Sequence, residues 1–456
     1  MVNPILLPEL REMLQTDDHA ALAEFCETLH PATAAEFMEG LDVDQTWAVF
    51  TNTDLQRQAA IFQYFPLSKQ IDMAGGIGRE RMSRLIEEMA PDDRVNLLQH
   101  LDGEMVENLL PLVAQAERND IRRLLSSAED SAGSVMTTEY AWLPEDITAS
   151  DALARLRLQA PDRETIYYVY VLDSDRRLKG LVSLRQLIMA RPTTRVGDLM
   201  ERDVITVRVS DDKEEVARKL ARYDFLAMPV VDDEGRLVGI VTHDDVIDVV
   251  VEEATEDVHR LGGMEPLEQS YLESPFWTLT WKRGIWLALL FLTGLVTSSV
   301  LQTWHGIVEG LGLYVFLTLV VASGGNCGSQ SATLITRSLA LGQVTLRDWA
   351  RVLARESLSG LVLGLFLGLL GFIRAWWVPV KTEHVLAVAF IVAGSLLFVT
   401  LCGTLLGSLL PLLIKRLGGD PAITSNPFVA SLVDVIGSAL LIFMAYLIMT
   451  CFGVTL

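Results

Sequence analysis

The sequence predicts a multidomain membrane protein with four parts. In chain order they are an all-α helical-superhelix N-terminal domain, a tandem α/β repeat, an acidic linker helix and a five-helix transmembrane domain. Three observations predict this class. The net charge of −22 arises within the first 280 of the 456 residues. Apolar runs long enough to cross about 30 Å of hydrocarbon occur only after residue 280. A short motif also recurs after 59 residues.

Residues 1–130 are predicted to form the helical domain. Apolar residues recur with a period near 3.6 in segments such as AALAEFCETL and RERMSRLIEEM. Asp44, Asp54 and the Asp92–Asp93 pair stand just ahead of such segments, where helices begin. Because the N-terminus lacks the basic and apolar regions of a signal peptide, we expect this half of the chain in the cytosol.

Residues 131–250 contain the repeat, in which Tyr170–Ile188 resembles Pro229–Ile247. Each copy predicts a strand, an Asp-rich turn, a second strand that begins near a glycine, and a helix. The residues that recur are Val171, Asp173, Leu178, Gly180 and Val182, which become Val230, Asp232, Leu237, Gly239 and Val241. The segment therefore resembles a tandem CBS pair.

The resemblance to CBS modules leaves nucleotide binding open. Modules that hold adenine nucleotides carry a Gly-x-x-Thr/Ser-x-x-Asp pattern, which places a hydroxyl and a carboxylate at the phosphate and ribose. The second copy has Thr242 and Asp245 in this pattern, whereas the first has Gln186 in place of the acid. ATP or another adenine nucleotide is therefore expected, if anywhere, at Thr242 and Asp245.

Residues 244–275 are predicted to be a connecting segment that begins with an acidic helix over 244–261. Acids spaced three and four residues apart repel each other on one helix face unless a cation lies between them. The strong negative charge of this half argues against nucleic acid as a partner and favours cations. A plain solvated connecting helix is the alternative. The acids are Asp244, Asp245, Asp248, Glu252, Glu253, Glu256 and Asp257.

Residues 280–456 are predicted to cross the cell membrane several times. An odd number of spans places the C-terminus outside if the N-terminal half is cytosolic, and eight of the ten Lys and Arg residues then lie inside. The segment Ser323–Ser331 interrupts the second apolar run with small polar residues, so we expect a break that faces protein or water. The five runs are 285–302, 307–335, 353–377, 385–412 and 428–452.

The last apolar run carries a single carboxylate, Asp434, and no Lys or Arg that would neutralise it. An ionised group in hydrocarbon is costly and usually lines an ion path or pairs with a cation. Asn426, two turns earlier, offers an amide carbonyl. Ion transport is therefore the first hypothesis. Because the chain has no Walker loop, GxSxG or HExxH motif, an enzyme has little support.

The order of the parts, with SGGNCGSQSATLITRSLALG in the second span and DPA, NP and Asp434 around the fifth, resembles the MgtE family of magnesium channels over essentially the full length. The resemblance implies a homodimer in lipid with a pore on the twofold axis. Asp434, Asn426 and the backbone at Ala430 match positions of the family's pore site for Mg²⁺. This ion sheds its waters reluctantly.

The same resemblance implies that Mg²⁺ is both the imported substrate and the regulator, and that acids sharing cytosolic Mg²⁺ draw the soluble parts into a closed form. A membrane-anchored CBS sensor of nucleotide or Mg²⁺ without transport is the alternative. The matching acids are Asp92, Asp93, Asp212, Glu214, Asp224, Asp245, Asp248, Glu253, Glu256, Asp257 and Asp420.

Overall fold

The computed structural model describes residues 7–128, 130–267, 271–272, 274–377 and 384–452. The chain divides into two compact units, Met1–Glu253 and Ala254–Leu456. The first contains short helices followed by two small sheets, and the second contains long apolar helices. The predicted fold class is confirmed.

The first unit begins with ten short helices around a core that includes Phe50, Phe62 and Met82, all fully buried. Asp54 caps its helix as predicted, accepting a hydrogen bond from the Arg57 amide at 2.7 Å. The cap of α4 is Asp42 rather than Asp44, because Asp44 already lies in the first turn. The helices are α1 Leu7–Gln15, α2 His19–Thr28, α3 Pro31–Met38, α4 Val43–Phe50, α5 Leu55–Phe62, α6 Leu67–Gly75, α7 Arg79–Glu88, α8 Pro91–His100, α9 Gly103–Leu109 and α10 Gln115–Leu125, with a 3₁₀ turn at Leu110–Leu112.

The two α/β copies have the same sheet topology. In each three-stranded sheet the first pair of strands is parallel and the second pair antiparallel, and Val171 pairs with Gly180 as Val230 pairs with Gly239. The predicted repeat is therefore a structural one. The elements are β1 Tyr140–Leu143, α11 Ala149–Gln159, β2 Thr165–Leu172, β3 Leu178–Ser183, α12 Leu184–Met189, α13 Val196–Leu199, β4 Val207–Arg208, α14 Lys213–Tyr223, β5 Ala227–Val231 and β6 Leu237–Thr242, with a 3₁₀ turn at Ala160–Asp162.

The acidic linker forms one helix, α15 His243–Leu261, within a residue of the predicted range. Its first residues follow β6 in the first unit, and residues 254–261 belong to the second unit.

Four helices of the described residues are long and apolar enough to cross a membrane: Phe276–Thr303, Leu346–Trp377, Val385–Arg416 and Asn426–Phe452. Their lengths of 27 to 32 residues exceed the roughly 20 residues that a span requires. The elements of this unit are α16 Phe276–Thr303, α17 His305–Gly310, α18 Tyr314–Ala340, α19 Trp349–Trp377, α20 Val385–Arg416 and α21 Asn426–Phe452, with 3₁₀ turns at Leu346–Asp348 and Pro421–Ile423.

The expected break at Ser323–Ser331 does not occur. These residues lie in the middle of α18, which is one continuous α-helix of 27 residues. The prediction was wrong because small polar side chains do not by themselves interrupt the backbone hydrogen bonds of a helix. Gly324, Gly328 and Ser331 are buried, whereas Asn326 and Gln330 are exposed, so one face of the segment packs against protein and the other is open.

Candidate functional site

The three predicted pore residues lie on one face of α21. Asn426, Ala430 and Asp434 are spaced four residues apart, so they stack along about 12 Å of the helix. Asn426 is the first residue of the helix, and the preceding Ser425 caps it, since the Ser425 hydroxyl accepts a hydrogen bond from the Phe428 amide at 3.3 Å. This face therefore presents an amide near the start of the helix and a carboxylate two turns later.

The glycine-rich segment of α18 packs against this face. A Cβ added to Gly325 would lie 3.4 Å from the Ala430 Cβ and 3.8 Å from Asp434 Oδ1. Two side chains of α18 donate hydrogen bonds to Asn426: the Ser329 hydroxyl to its backbone carbonyl and the Thr333 hydroxyl to its Oδ1, each at 3.1 Å. The absence of a side chain at Gly325 therefore lets the two helices meet beside the carboxylate.

Asp434 is half-buried, and it makes no ion pair with any residue that the structure describes. Glu356, a carboxylate within α19, accepts a hydrogen bond from the Ser331 hydroxyl at 2.7 Å. These contacts distinguish the two acids: Glu356 has a hydrogen-bond donor within the bundle, whereas Asp434 lies beside Gly325 without a cation among the described residues.

A second group of acids lies in the first unit, where α8 approaches the start of α15. Asp92, Asp93, Asp245 and Asp248 line a crevice of about 160 Å³. One carboxylate oxygen of Asp92 is fully buried and has no hydrogen-bond partner in the part of the chain that the structure describes. The structure therefore brings together four of the acids that the resemblance singled out.

Two further acids join this group, and the sequence analysis missed them as a set. Glu164 stands just before β2, and its charge acts on both Asp92 and Asp93. Asp244, noted before only as part of the acidic helix, acts on Asp93 and Glu164. No signal in the sequence marks Glu164, because only the fold brings β2 near α8. We call these six residues the acidic cluster.

Burial and mutual repulsion raise the pKa values of five members of the acidic cluster, Asp92, Asp93, Glu164, Asp245 and Asp248. Burial, and then the neighbouring carboxylates, raise the pKa of Asp92, Asp93 and Glu164 to about 7. Burial and the charge of Asp92 raise the pKa of Asp245 to about 8. These carboxyls thus hold protons near neutral pH, and a cation that binds them would displace those protons.

Lys213 is a resident cation beside the acidic cluster. Its ammonium lies 3.3 Å from Asp130, 3.4 Å from Glu252 and 3.8 Å from Glu253. Burial lowers the pKa of Lys213, but these carboxylates outweigh the burial and the pKa is raised overall. Glu253, predicted as an Mg²⁺ ligand, is therefore paired with a lysine in this structure.

Three of the predicted regulatory acids lie away from the acidic cluster, at the two ends of α14. Asp212 caps the start of the helix, accepting hydrogen bonds from the amides of Glu214 and Glu215. Glu214 lies 3.6 Å from Arg218, and Asp224 ends the helix with a φ of 53°. These are local structural roles, and ligation of Mg²⁺ by these three acids stays a prediction.

The remaining predicted acids meet at the end of the linker helix, around Arg260. Its guanidinium pairs with both Glu256 and Asp420. Burial and the charge of Asp420 raise the pKa of Asp257. We call Glu256, Asp257, Arg260 and Asp420 the linker clasp. The sequence analysis missed Arg260, although its position four residues after Glu256 is a standard ion-pair spacing.

The linker then turns directly over the start of α21. Gly263 has a φ of +74°, which favours glycine, and a Cβ there would lie 3.2 Å from Pro427 and 3.4 Å from the Ser425 hydroxyl. The segment that follows the linker clasp therefore contacts the turn that precedes Asn426.

The predicted nucleotide-binding residues, Thr242 and Asp245, contact each other and the neighbouring Asp244. The Thr242 hydroxyl lies 2.5 Å from carboxylate oxygens of both Asp244 and Asp245. A separate cavity of about 210 Å³ lies between the two α/β copies, with Tyr168 and Phe225 on its wall and Glu201 at its edge. This cavity offers aromatic surfaces for a base, which the sequence analysis did not identify.

No group of three or more His, Cys, Asp or Glu side chains is arranged as a ready-made metal site among the described residues. A cation that keeps its hydration shell needs fewer direct ligands, because its waters reach the carboxylates. The acidic cluster, with an unpartnered buried oxygen, and Asp434, without a cation, are suited to that kind of binding.

Family models match most of the chain. The model described as the MgtE intracellular N domain matches residues 29–130, the CBS domain model matches residues 132–192 and 196–252, and the model described as a divalent cation transporter matches residues 317–444.

Curated relatives and solved structures agree. The magnesium transporter MgtE of Thermus thermophilus is 40% identical over 97% of this chain and 98% of its own, and that of Bacillus subtilis is 33% identical over 80% of each. A crystal structure of the cytosolic domain of the Mg²⁺ channel MgtE in complex with ATP is 40% identical, covers 54% of this chain and all of its own, and has a TM-score of 0.51. The soluble part of a magnesium transporter is 34% identical, covers 54% of this chain and 98% of its own, and has a TM-score of 0.52. This chain belongs to the MgtE family.

Proposed function

We propose that this chain is an Mg²⁺-selective channel that imports Mg²⁺ past Asp434 and is closed by cytosolic Mg²⁺ bound to its acidic regions. MgtE proteins are ion transporters rather than enzymes. The observation that carries the proposal is Asp434, a carboxylate among apolar helices that has no cation partner within the described residues. Such a group is retained at that depth for an ion path.

The surroundings of Asp434 favour a hydrated divalent ion. Ala430 and Gly325 carry no large side chain that would cover the carboxylate where α18 meets α21. Asn426 and the backbone of Ala430 add oxygens on the same face of α21. Mg²⁺ sheds its waters reluctantly, so carboxylates that hold it through water attract it without the cost of stripping it.

We propose a homodimer, with the two copies of Asp434 facing each other across a twofold axis, the N-terminal half in the cytosol and the C-terminus outside. The basic ends of the apolar helices support this orientation. Arg337, Arg347 and Arg416 fall at ends that would face the cytosol.

Regulation follows from the acidic cluster and the linker clasp. When cytosolic Mg²⁺ is abundant, it neutralises the acidic cluster and stabilises the compact arrangement of α8 and α15. When Mg²⁺ falls, repulsion among ionised carboxyls such as Asp93 and Asp245 opens this contact. Because the end of α15 carries the linker clasp, such a change reaches the turn before Asn426 through the continuous helix.

We also propose that an adenine nucleotide binds the CBS pair, as the relative's cytosolic domain was crystallised with ATP. The aromatic cavity at Tyr168 and Phe225 supports a place for the base, and Glu201 supplies a carboxylate for sugar hydroxyls. Thr242 and Asp245 are the alternative nucleotide site. A nucleotide bound there would separate Asp245 from the rest of the acidic cluster.

Growth of a bacterium that lacks magnesium import tests the transport proposal. Expression of this chain should restore growth in low Mg²⁺, and Asp434→Ala should abolish the rescue at equal expression. Asp348→Ala is the matched control, because Asp348 is a carboxylate that pairs with Arg351 near the start of α19. A membrane-anchored sensor without transport predicts instead that wild type and Asp434→Ala behave alike, while nucleotide still binds.

A further inference from the structure

The described membrane helices leave one large apolar crevice that the ion path does not use. It has a volume of about 690 Å³ and lies between the start of α19 and the last turns of α20. Leucines dominate its wall, and Leu413, which is 52% exposed, lies on its open side. An apolar surface of this size facing the bilayer fits a hydrocarbon chain.

Two arginines flank the same crevice. Arg347 and Arg416 line it, and neither makes an ion pair or a side-chain hydrogen bond with any described residue. Their neighbour Arg351, by contrast, pairs with Asp348 at 2.8 Å. Two arginines without anionic partners among the described residues, both lining a leucine-rich crevice, form a site for an anion that has an apolar tail.

The position of the crevice selects the membrane as the source of that ligand. Trp349 also lines the crevice and is 56% exposed, and indoles prefer the boundary between headgroups and hydrocarbon. Basic pockets between membrane helices on the cytosolic side bind acidic lipid headgroups. The crevice lies at the helix ends that the proposed orientation places in the cytosolic leaflet.

We propose that this crevice binds one anionic phospholipid of the cytosolic leaflet, with its phosphate between Arg347 and Arg416 and one acyl chain along the leucines. Because the Leu346–Asp348 turn that forms one wall also begins α19, bound lipid would fix the ends of α19 and α20 relative to each other. This site is separate from Asp434, so its test does not depend on transport.

Native mass spectrometry of the full-length chain in detergent, titrated with phosphatidylglycerol or phosphatidylcholine, tests the proposal. Wild type should bind phosphatidylglycerol at least about tenfold more tightly than phosphatidylcholine, as expected from two arginines near an anionic lipid. The double variant R347Q/R416Q should lose this preference. The double variant R351Q/R355Q removes the same charge from the same end of the unit, outside the crevice, and should keep the preference.

A second variant separates the crevice from charge alone. Leu413→Trp fills the open side of the crevice without removing an arginine, and Leu413 is exposed, so the fold should tolerate it. It should weaken phosphatidylglycerol binding. Equal binding of both lipids by wild type would overturn the proposal, and so would equal losses in the two double variants. A Leu413→Cys disulfide that joins two copies would also overturn it, because a second chain would then cover the crevice.

Discussion

Replacing Asp92 with asparagine is expected to stabilise the Mg²⁺-free cytosolic region at alkaline pH. Asp92 contributes the most buried carboxylate of the acidic cluster, and the rise of its pKa from 3.8 to about 7 corresponds to about 4 kcal/mol of unfavourable interaction when it is ionised. Asparagine keeps the shape of the side chain but removes the charge. The coupled neighbours will share part of this energy, so we expect a gain between about 1 and 4 kcal/mol.

The pH dependence has a definite sign. In the folded state the carboxyls of Asp92, Asp93, Glu164 and Asp245 bind protons up to about pH 7 or 8, whereas in the unfolded state they lose them near pH 4. The folded state therefore binds more protons over this range, and its stability without Mg²⁺ falls as pH rises from about 4 to about 8. Mg²⁺ should restore the loss most strongly above pH 8 and little at pH 6, where protons already neutralise the cluster.

Limited proteolysis of the full-length chain, with and without Mg²⁺ at pH 6 and pH 8.5, measures these effects. Without Mg²⁺ at pH 8.5, wild type should be cleaved about tenfold or more faster than Asp92→Asn, since about 1.4 kcal/mol changes an equilibrium tenfold. Asp146→Asn, an exposed acid outside the acidic cluster, is the control and should behave as wild type. Equal protection by Mg²⁺ at both pH values, or equal cleavage of all three proteins, would refute the reasoning.

Two further substitutions test the membrane unit. Arg260→Gln removes the cation of the linker clasp, so Asp420 and its acidic neighbours should repel each other. Closure, measured as the loss of Mg²⁺ flux, should then require several-fold higher Mg²⁺ or fail. An unchanged Mg²⁺ dependence would count against a role of the linker clasp in gating. A Cβ at residue 325 would lie 3.4 Å from the Ala430 Cβ, so Gly325→Val pushes methyl groups toward Ala430. This overpacking should destabilise the contact by roughly 1–3 kcal/mol and reduce Mg²⁺ flux. Gly294→Val, at a position with open space around it, should leave the flux unchanged. Equal flux from the two valine variants would show that the contact at Gly325 is unimportant.

Local patterns predicted the fold well because they depend on neighbours in sequence. The repeat register at Gly180 and Gly239 and the helix His243–Leu261 followed from spacing alone. The prediction of a break in the polar segment of α18 was wrong, because small polar side chains do not by themselves interrupt the backbone hydrogen bonds of a helix.

The candidate sites were predicted only in part, because tertiary contacts decide which acids meet. Asp92 and Asp245, far apart in the sequence, come together in the fold, and Glu164 joins them without a sequence signal. The partners of Arg260 include Asp420, which is 160 residues away. Pairing at that distance could not be read from the acidic run alone.

The central claim is that Asp434 carries Mg²⁺ through the membrane unit, and Mg²⁺ uptake into liposomes containing the purified chain tests it most directly. Wild type and the control Asp348→Asn should both take up Mg²⁺ along its gradient, and Asp434→Asn should reduce that flux at least about tenfold, since removing the charge that attracts the hydrated ion among apolar helices weakens its binding strongly. Undiminished uptake by a folded Asp434→Asn protein would contradict the account.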